Sequence, residues 1–535
     1  MSHMADTRYG SYKLAKNFER ELDILIEQGI YKPMFLYHVV IIHTLPIIGM
    51  VIPRRRGGQH VRKALFALCI GIAIEILQNR RAIIGGNGYM LGLMTAWWLI
   101  WTATLFIFTD LEHDFKRIER KPCGVQPQKN TQFNKNENGA AEKPLDSSTS
   151  LSKRHDTNAY IWQSYPAKFL HRLEWSAGLL FNLRGPEWNW RTPHLVPLPR
   201  SIHAQLHSGF LEKIKAQEDS TYPSGKERLR ATFRKFFISY IVIDILKTII
   251  LMPDPYFQGI APADSISPPP FPFFYFTGLA IHPVLAKLCR CIYSAGSVFF
   301  ALEFVTSLNP MFFLGLSLAF PNGARKLTAT PLGASWLYSD AFGPFIQPVL
   351  DDGLAGCWGR WWHQLFRNGF MNTARWILSL LPASLAFHPQ FKRVTYVVVA
   401  FCISGFVHAC GSRTQIASTY PVSGTFLFFA LQSVAIMAEQ VFKTTIFPRL
   451  PLGGTPRWLR RTANFLFVFC WLMASGSLIA DDFARGGLWL MEPVPISPLR
   501  GLGFGLPGEG WWCWRDPWFR YWSDGSYWGS GIRVL

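Results

Sequence analysis

Charge is scarce in this sequence. Only 16% of its 535 residues are Asp, Glu, Lys or Arg, while 49% are hydrophobic; soluble domains average about 25% charged residues. That shortage, together with long apolar runs, excludes an ordinary string of soluble domains and points to a chain that crosses a membrane several times. Paired cysteines are missing as well. The nine cysteines, at 69, 123, 289, 291, 357, 402, 410, 470 and 513, include no CxxC pair, and several sit inside apolar runs. This excludes a disulfide framework or a zinc site and leaves buried free thiols, so no metal is expected. There is no N-x-S/T sequon, in keeping with small lumenal loops. Among the charges that are present, acid is the scarcer sign: 34 acidic against 54 basic residues, a net +20. No basic helix or aromatic RNA-binding signature accompanies that excess, so nucleic acid is not an expected partner. Cytoplasmic loops facing anionic lipid, and affinity for a polyanionic cosubstrate, account for it better.

What is present is an all-α pattern of apolar segments amounting to about eight to ten membrane spans. Residues 1–33 alternate basic and acidic side chains and predict an amphipathic surface helix, with no cleavable signal peptide. The first transmembrane helices fall within 34–109, near 34–52, 64–78 and 88–109. The cluster Arg54, Arg55, Arg56, Arg62 and Lys63 puts the first connection in the cytoplasm. Residues 110–235 form a basic cytosolic loop, disordered around 120–158, where large apolar residues are almost absent. The membrane core follows over 236–490. It opens with a span near 236–252 carrying Asp244 and Lys247, whose spacing suggests an internal pair. Segments near 274–286, 292–307 and 310–320 come next, then a Gly/Pro-broken stretch over 332–350 that suits a re-entrant course. Spans near 376–387, 394–410, 423–443 and 463–480 complete the core, with Glu439 and Lys443 again at pairing distance. The tail 491–535 is rich in tryptophan. Two readings of it stand open, an interfacial aromatic belt and a lid over a substrate mouth.

Two motifs carry the chemistry. Residues 404–413 read SGFVHACGSR, and the run 394–410 holds no charge and one histidine, His408. An ionisable group at that depth is costly and usually faces the protein interior or a cavity. Imidazole is also the side chain best suited to accept a proton near neutral pH. A satisfied core histidine is the competing account. Residues 358–367 read WGRWWHQLFR. On a helix at about 100° per residue, Arg360, His363, Gln364 and Arg367 share one polar stripe opposite Trp358, Trp361, Trp362, Leu365 and Phe366. Such a helix can lie at the membrane surface with its arginines on phosphate, either of a ligand or of lipid headgroups.

The WGRxWHQxFR stretch, followed some 45 residues on by SGFVHA, resembles the wax-synthase-like branch of the membrane-bound O-acyltransferase family. More narrowly, it resembles the fungal members that acetylate terpenoid and meroterpenoid alcohols. The resemblance implies His408 as catalytic base and His363 as its polar partner. It implies acetyl-CoA or another acyl-CoA as cosubstrate, with no bound cofactor, a lipophilic alcohol as acceptor, and a multi-pass protein of the endoplasmic reticulum. Arg360, Arg367, Gln364 and Trp358 are the candidate cosubstrate contacts. The stretch NLRGPEWNW at 182–190 is similar to an arginine-glycine segment of those enzymes, and Arg184 joins the candidates, although Pro186 and Glu187 lengthen that segment and a structural turn is an equal account. Acyl transfer needs a proton acceptor, a thioester carbonyl held in line with the attacking oxygen, and stabilisation of the tetrahedral oxyanion. Without a GxSxG elbow or an HxxxD or HxxxxD arrangement, direct attack in a ternary complex is the expected route. A long-chain wax or sterol ester synthase is the alternative within this chemistry. A lipophile transporter is the alternative outside it, weakened by the lack of an internal repeat.

Overall fold

The computed structural model describes residues 11–122, 158–208, 222–266, 282–450, 454–506 and 508–535. Within them the chain is mainly helical. Helix α1 (Ser11–Glu27) lies on the surface, burying Glu19, Leu22 and Ile26 at helical spacing. Helices α2 (Leu36–Val51) and α3 (Gly58–Asn79) form an antiparallel pair. The turn between them contains Arg54–Arg56 and closes at Gly57, whose φ of 77° favours glycine. Arg62 anchors that turn on the Gly49 carbonyl and on Glu112, at 3.1 and 3.0 Å. Helix α4 (Tyr89–Ala103) continues through a π turn, Thr104–Phe108.

The segment expected to be a cytosolic loop contains more structure than composition suggests. Strands Arg117–Pro122 and Asn158–Gln163 pair antiparallel. They bracket most of the stretch read as disordered, whose residues 123–157 lie outside the described residues. Helix α5 (Phe169–Leu180) then runs beside α2, with Arg172 Nε donating to the Val51 carbonyl at 2.9 Å. The turn after α5 dips toward α4: Trp101 Nε1 donates to the Leu180 carbonyl at 3.1 Å, and Trp190 packs edge-on to Trp101. Trp101 stands seven residues before the end of the π turn, about 10 Å in from it. The aromatic content of 159–190 is therefore core, with Trp175 and Trp188 fully buried against each other.

Helix α6 (Arg200–Ser208) is followed by α7 (Gly225–Ile245), which starts at a capping box in which Ser224 and Glu227 satisfy each other's backbone. The expected Asp244–Lys247 pair does not form. Asp244 accepts from the Leu499 amide at 3.0 Å and from Ser497, and Lys247 donates to the Trp489 and Met491 carbonyls. Each charge is used to tie α7 to the 489–499 segment, because carbonyls and amides left over in that irregular stretch need partners more than the two side chains need each other. The segments expected near 292–307 and 310–320 are one helix, α8 (Pro283–Ala319), which passes through Pro310. A single lost backbone bond does not outweigh a 37-residue apolar helix. Much of the segment expected near 274–286 lies outside the described residues.

Helices α9 (Arg367–Ser379), α10 (Pro389–Arg413), α11 (Leu427–Val441) and α12 (Arg457–Arg485) build the rest. The helix expected near 376–387 instead ends α9 early and resumes as a short turn, Ala383–Ala386, because Pro382 interrupts it. Among the described residues, five helices are long and apolar enough to cross a membrane: Tyr89–Phe108, Pro283–Ala319, Pro389–Arg413, Pro421–Arg449 and Arg457–Arg485. Glu439 and Lys443 pair at 2.9 Å as their spacing predicts. The tail folds as a hairpin, Phe519–Ser523 with Ser530–Val534, pinned to α1 by Arg520 on Glu19 and Arg533 on Asp23. Its Trp512, Trp514 and Trp518 wall a second cavity of about 420 Å³ against α1.

Candidate active site

Helix α10 turns one face inward at Gln390, Arg393, Val397, Phe401, Ser404 and His408. These positions recur every three or four residues, so they share one stripe of the helix. Helix α11 contributes Phe429, Ile436 and Gln440 in the same way, and the first motif supplies Trp358, His363 and Arg367. Between these three walls is a cavity of about 750 Å³, within the range of small-molecule sites. From Gln390 to His408 it follows α10 for about 27 Å, eighteen residues at 1.5 Å each. Both histidines line it.

The two ends of the cavity differ. At one, Arg393 on the cavity wall donates to Gln440 at 3.0 Å. At the other, His408 is enclosed. Phe429 stacks on its ring with centroids 4.5 Å apart and planes 19° apart, and Tyr89 Oη lies 2.5 Å from Nδ1. Tyr89 reaches it because α4 and α10 touch backbone to backbone. A Cβ at Gly92 would overlap the Cys410 carbonyl, and one at Gly411 would sit 3.0 Å from the Tyr89 carbonyl. Thr414 Oγ1 closes the contact, accepting from the Gly92 amide and donating to the Gly88 carbonyl, both at 2.9 Å.

The first motif is not the regular helix its periodicity predicts. Cys357–Trp361 is a π turn, Trp362 is extended, and helix resumes only at Arg367. Gln364 explains the break. Its Nε2 donates to the Trp358 and Trp362 carbonyls at 2.7 Å each, and its Oε1 accepts from Arg367 at 2.7 Å. Arg367 also donates to the Gly359 carbonyl at 2.9 Å. Two polar side chains thus replace the helical ladder, and His363 sits on the resulting bend. Its Nδ1 is buried without a hydrogen-bond partner, and burial beside the Arg184 charge pushes its pKa down to about 4, so the ring is neutral.

The other candidates divide. Trp358, Gln364 and Arg367 line the cavity with the two histidines. Trp358 Nε1 donates to Gln432 at 3.3 Å, which orients the indole. Arg360 is exposed, pairs with Asp352 and is absent from the cavity wall. Arg184 is also off the wall, its guanidinium spread over the Ser339 and Asp340 carbonyls at 2.9 and 2.5 Å. Its charge helps to lower the pKa of His363. Two residues escaped the sequence reading. Tyr89 follows the Gly-Gly-Asn-Gly turn at 85–88, a signal that a helix start is fixed there. His194 has both ring nitrogens buried without partners, and burial with the Arg184 and Arg367 charges lowers its pKa to about 4. Nothing in its proline-flanked neighbourhood marks it in the sequence.

Apolar helices long enough to span a bilayer, enclosing a chamber lined by two imidazoles, define an integral membrane protein with an internal site. Residues 338–431, which contain both motifs, match the membrane bound O-acyl transferase family. Three curated relatives agree with that match. The chain is 31% identical over 126 residues to O-mevalon transferase macI of Penicillium terrestre, covering 22% of this chain and 29% of that protein. It is 33% identical over 155 residues to acetyltransferase eriL of Hericium erinaceus, covering 27% and 36%. It is 24% identical over 162 residues to acetyltransferase aurG of Calcarisporium arbuscula, covering 30% and 37%. The matches thus span about a third of the length of these relatives. No solved structure matches the chain.

Proposed function

We propose that this protein transfers an acyl group, most simply acetyl, from an acyl-CoA to the hydroxyl of a lipophilic alcohol of the terpenoid or meroterpenoid class. The observation that carries the reading is that His363 and His408 line one elongated cavity whose far end carries Arg393. The family match and the acetyltransferase names of the relatives support the same chemistry. The CoA phosphates suit the end with Arg393, near the start of α10, where the neighbouring Lys392 also favours the cytoplasmic side. The thioester then extends along α10 toward His408. There the alcohol loses its proton to His408 as its oxygen attacks the thioester carbonyl. The tetrahedral intermediate collapses by breaking the C–S bond, and the CoA thiolate recovers the proton from the imidazolium, leaving ester and CoA thiol. His363 and the arginine fork of Arg367 orient the carbonyl from the opposite wall. Residence in the endoplasmic reticulum belongs to this proposal.

Membranes from an expressing host, supplied with acetyl-CoA and a panel of hydroxylated terpenoids, test it by release of free CoA and appearance of ester. His408→Ala is expected to lower turnover by about 10²- to 10⁴-fold, the usual worth of a general base, while membrane insertion persists. Turnover that survives the substitution removes His408 from the role of base.

A further inference from the structure

We infer that Tyr89 is the positioning residue of His408: its phenol oxygen accepts the Nδ1–H of the imidazole and so leaves the Nε2 lone pair for the substrate hydroxyl. The inference rests on the reading of His408 as base and names the group that makes it one. A neutral imidazole carries one proton on two nitrogens, and the partner of one nitrogen decides the state of the other. In His408 the Nδ1 is occupied, 2.5 Å from Tyr89 Oη. Tyr89 is only 4% exposed and is not part of the cavity wall, whereas His408 is. The nitrogen left for a ligand is therefore Nε2. Were the phenol to donate to Nδ1, the proton would sit on Nε2 and the ring could only donate into the cavity. A base at this position requires the opposite arrangement.

The surroundings fit a device that fixes a ring. Tyr89 is the first residue of α4 and follows Gly88, whose φ of 91° sets the entry of the chain into the helix. Its ring packs edge-on to Phe483, with centroids 5.1 Å apart. On α10 only glycine fits at 411, where a Cβ would come within 2.9 Å of Tyr89 Cε2. Phe429 covers a face of the imidazole. The phenol holds the Nδ1 edge and the phenyl ring holds the plane, so rotation about the His408 side chain is stopped in two directions.

Tyr89→Phe keeps the ring packed against Phe483 and Gly411 and removes only the oxygen. It is expected to lower kcat by about 10- to 100-fold, as loss of an orienting partner does elsewhere, with KM for both substrates within about twofold. A purely structural role would instead move KM or the yield of folded protein. The tautomer can be read directly in the unmodified protein by solid-state NMR with ¹⁵N-labelled histidine, using His408→Gln to assign the signal by difference. A protonated Nδ1 and bare Nε2 are expected. Unchanged kcat in folded Tyr89→Phe, or a bare Nδ1 in the native protein, overturns the inference. Should Tyr89→Phe not fold, the spectrum decides alone. An active His408→Gln would instead remove the reading on which this one rests.

Discussion

His408 and His363 line the same cavity, and the chain holds them in opposite ways. His408 stands on α10, a regular helix whose ladder is intact from Pro389 to Arg413. It is oriented from outside by a neighbouring helix brought close through Gly92, Gly411 and Thr414. His363 stands where the backbone has left the helix altogether, and the groups that hold the bend, Gln364 and Arg367, come from the motif itself. The difference teaches that one residue type can be placed by packing between regular elements or by local polar satisfaction. The first depends on side-chain volume where the two helices touch; the second depends on the polar groups of the motif itself.

The largest consequence concerns protons. His363 is neutral with a pKa of about 4, against about 6.5 in an unfolded chain. Between these values the unfolded state binds a proton that the folded state does not, so stability rises with pH across that window and the group adds nothing further above it. The cost at the acid end is on the order of 3 kcal/mol. His363→Gln should flatten the fall in thermal midpoint of the detergent-solubilised protein between about pH 6.5 and 4, leaving the share that the other buried histidines, His194 among them, contribute. An unaltered slope would mean that the His363 ring is solvated. A smaller effect is expected at the bend. Gln364→Leu leaves the Trp358 and Trp362 carbonyls and Arg367 short of partners, which costs about 1–3 kcal/mol. It should lower both the thermal midpoint and the turnover, since His363 and Arg367 lose their frame. A variant as stable and active as the parent would show that the bend is held by packing, as α10 is, and the contrast would fail. The smallest effect is expected at Arg360, whose exposed pair with Asp352 is worth about 0–1 kcal/mol. Arg360→Ala should leave KM for acetyl-CoA within about twofold, whereas a rise of about tenfold, roughly 1.4 kcal/mol, would return it to the ligand site.

Much of this arrangement was legible beforehand for reasons that can be named. A charge-free run as long as 394–410 has few alternatives to a membrane helix, so the depth and enclosure of His408 follow from composition. The i, i+4 pair Glu439–Lys443 formed alongside other partners, since Glu439 also accepts from the Leu354 and Ala355 amides and Lys443 also donates to the Asp352 carbonyl, so none of these bonds displaces the pair. Asp244 and Lys247, spaced almost as well, were drawn away by amides and carbonyls of the 489–499 segment, which no local pattern displays. The same competition undid the helical stripe of the first motif. Arg360, His363, Gln364 and Arg367 have helical spacing, yet Gln364 spends its amide on two backbone carbonyls, and the stripe dissolves into a cavity-facing group and an outward-facing arginine.

By itself the amino-acid order determined that this chain is helical, that it is built to enter lipid, and that two imidazoles stand among apolar side chains, because those outcomes depend on local hydrophobicity and on the scarcity of charge. Tertiary structure alone decided that the two rings share one chamber, that Tyr89 from a helix more than three hundred residues upstream occupies the Nδ1 of His408, and that Arg184 reaches His363 only by its charge. These depend on which glycines let backbones approach and on where unsatisfied carbonyls fall, quantities set by contacts between segments far apart in the chain.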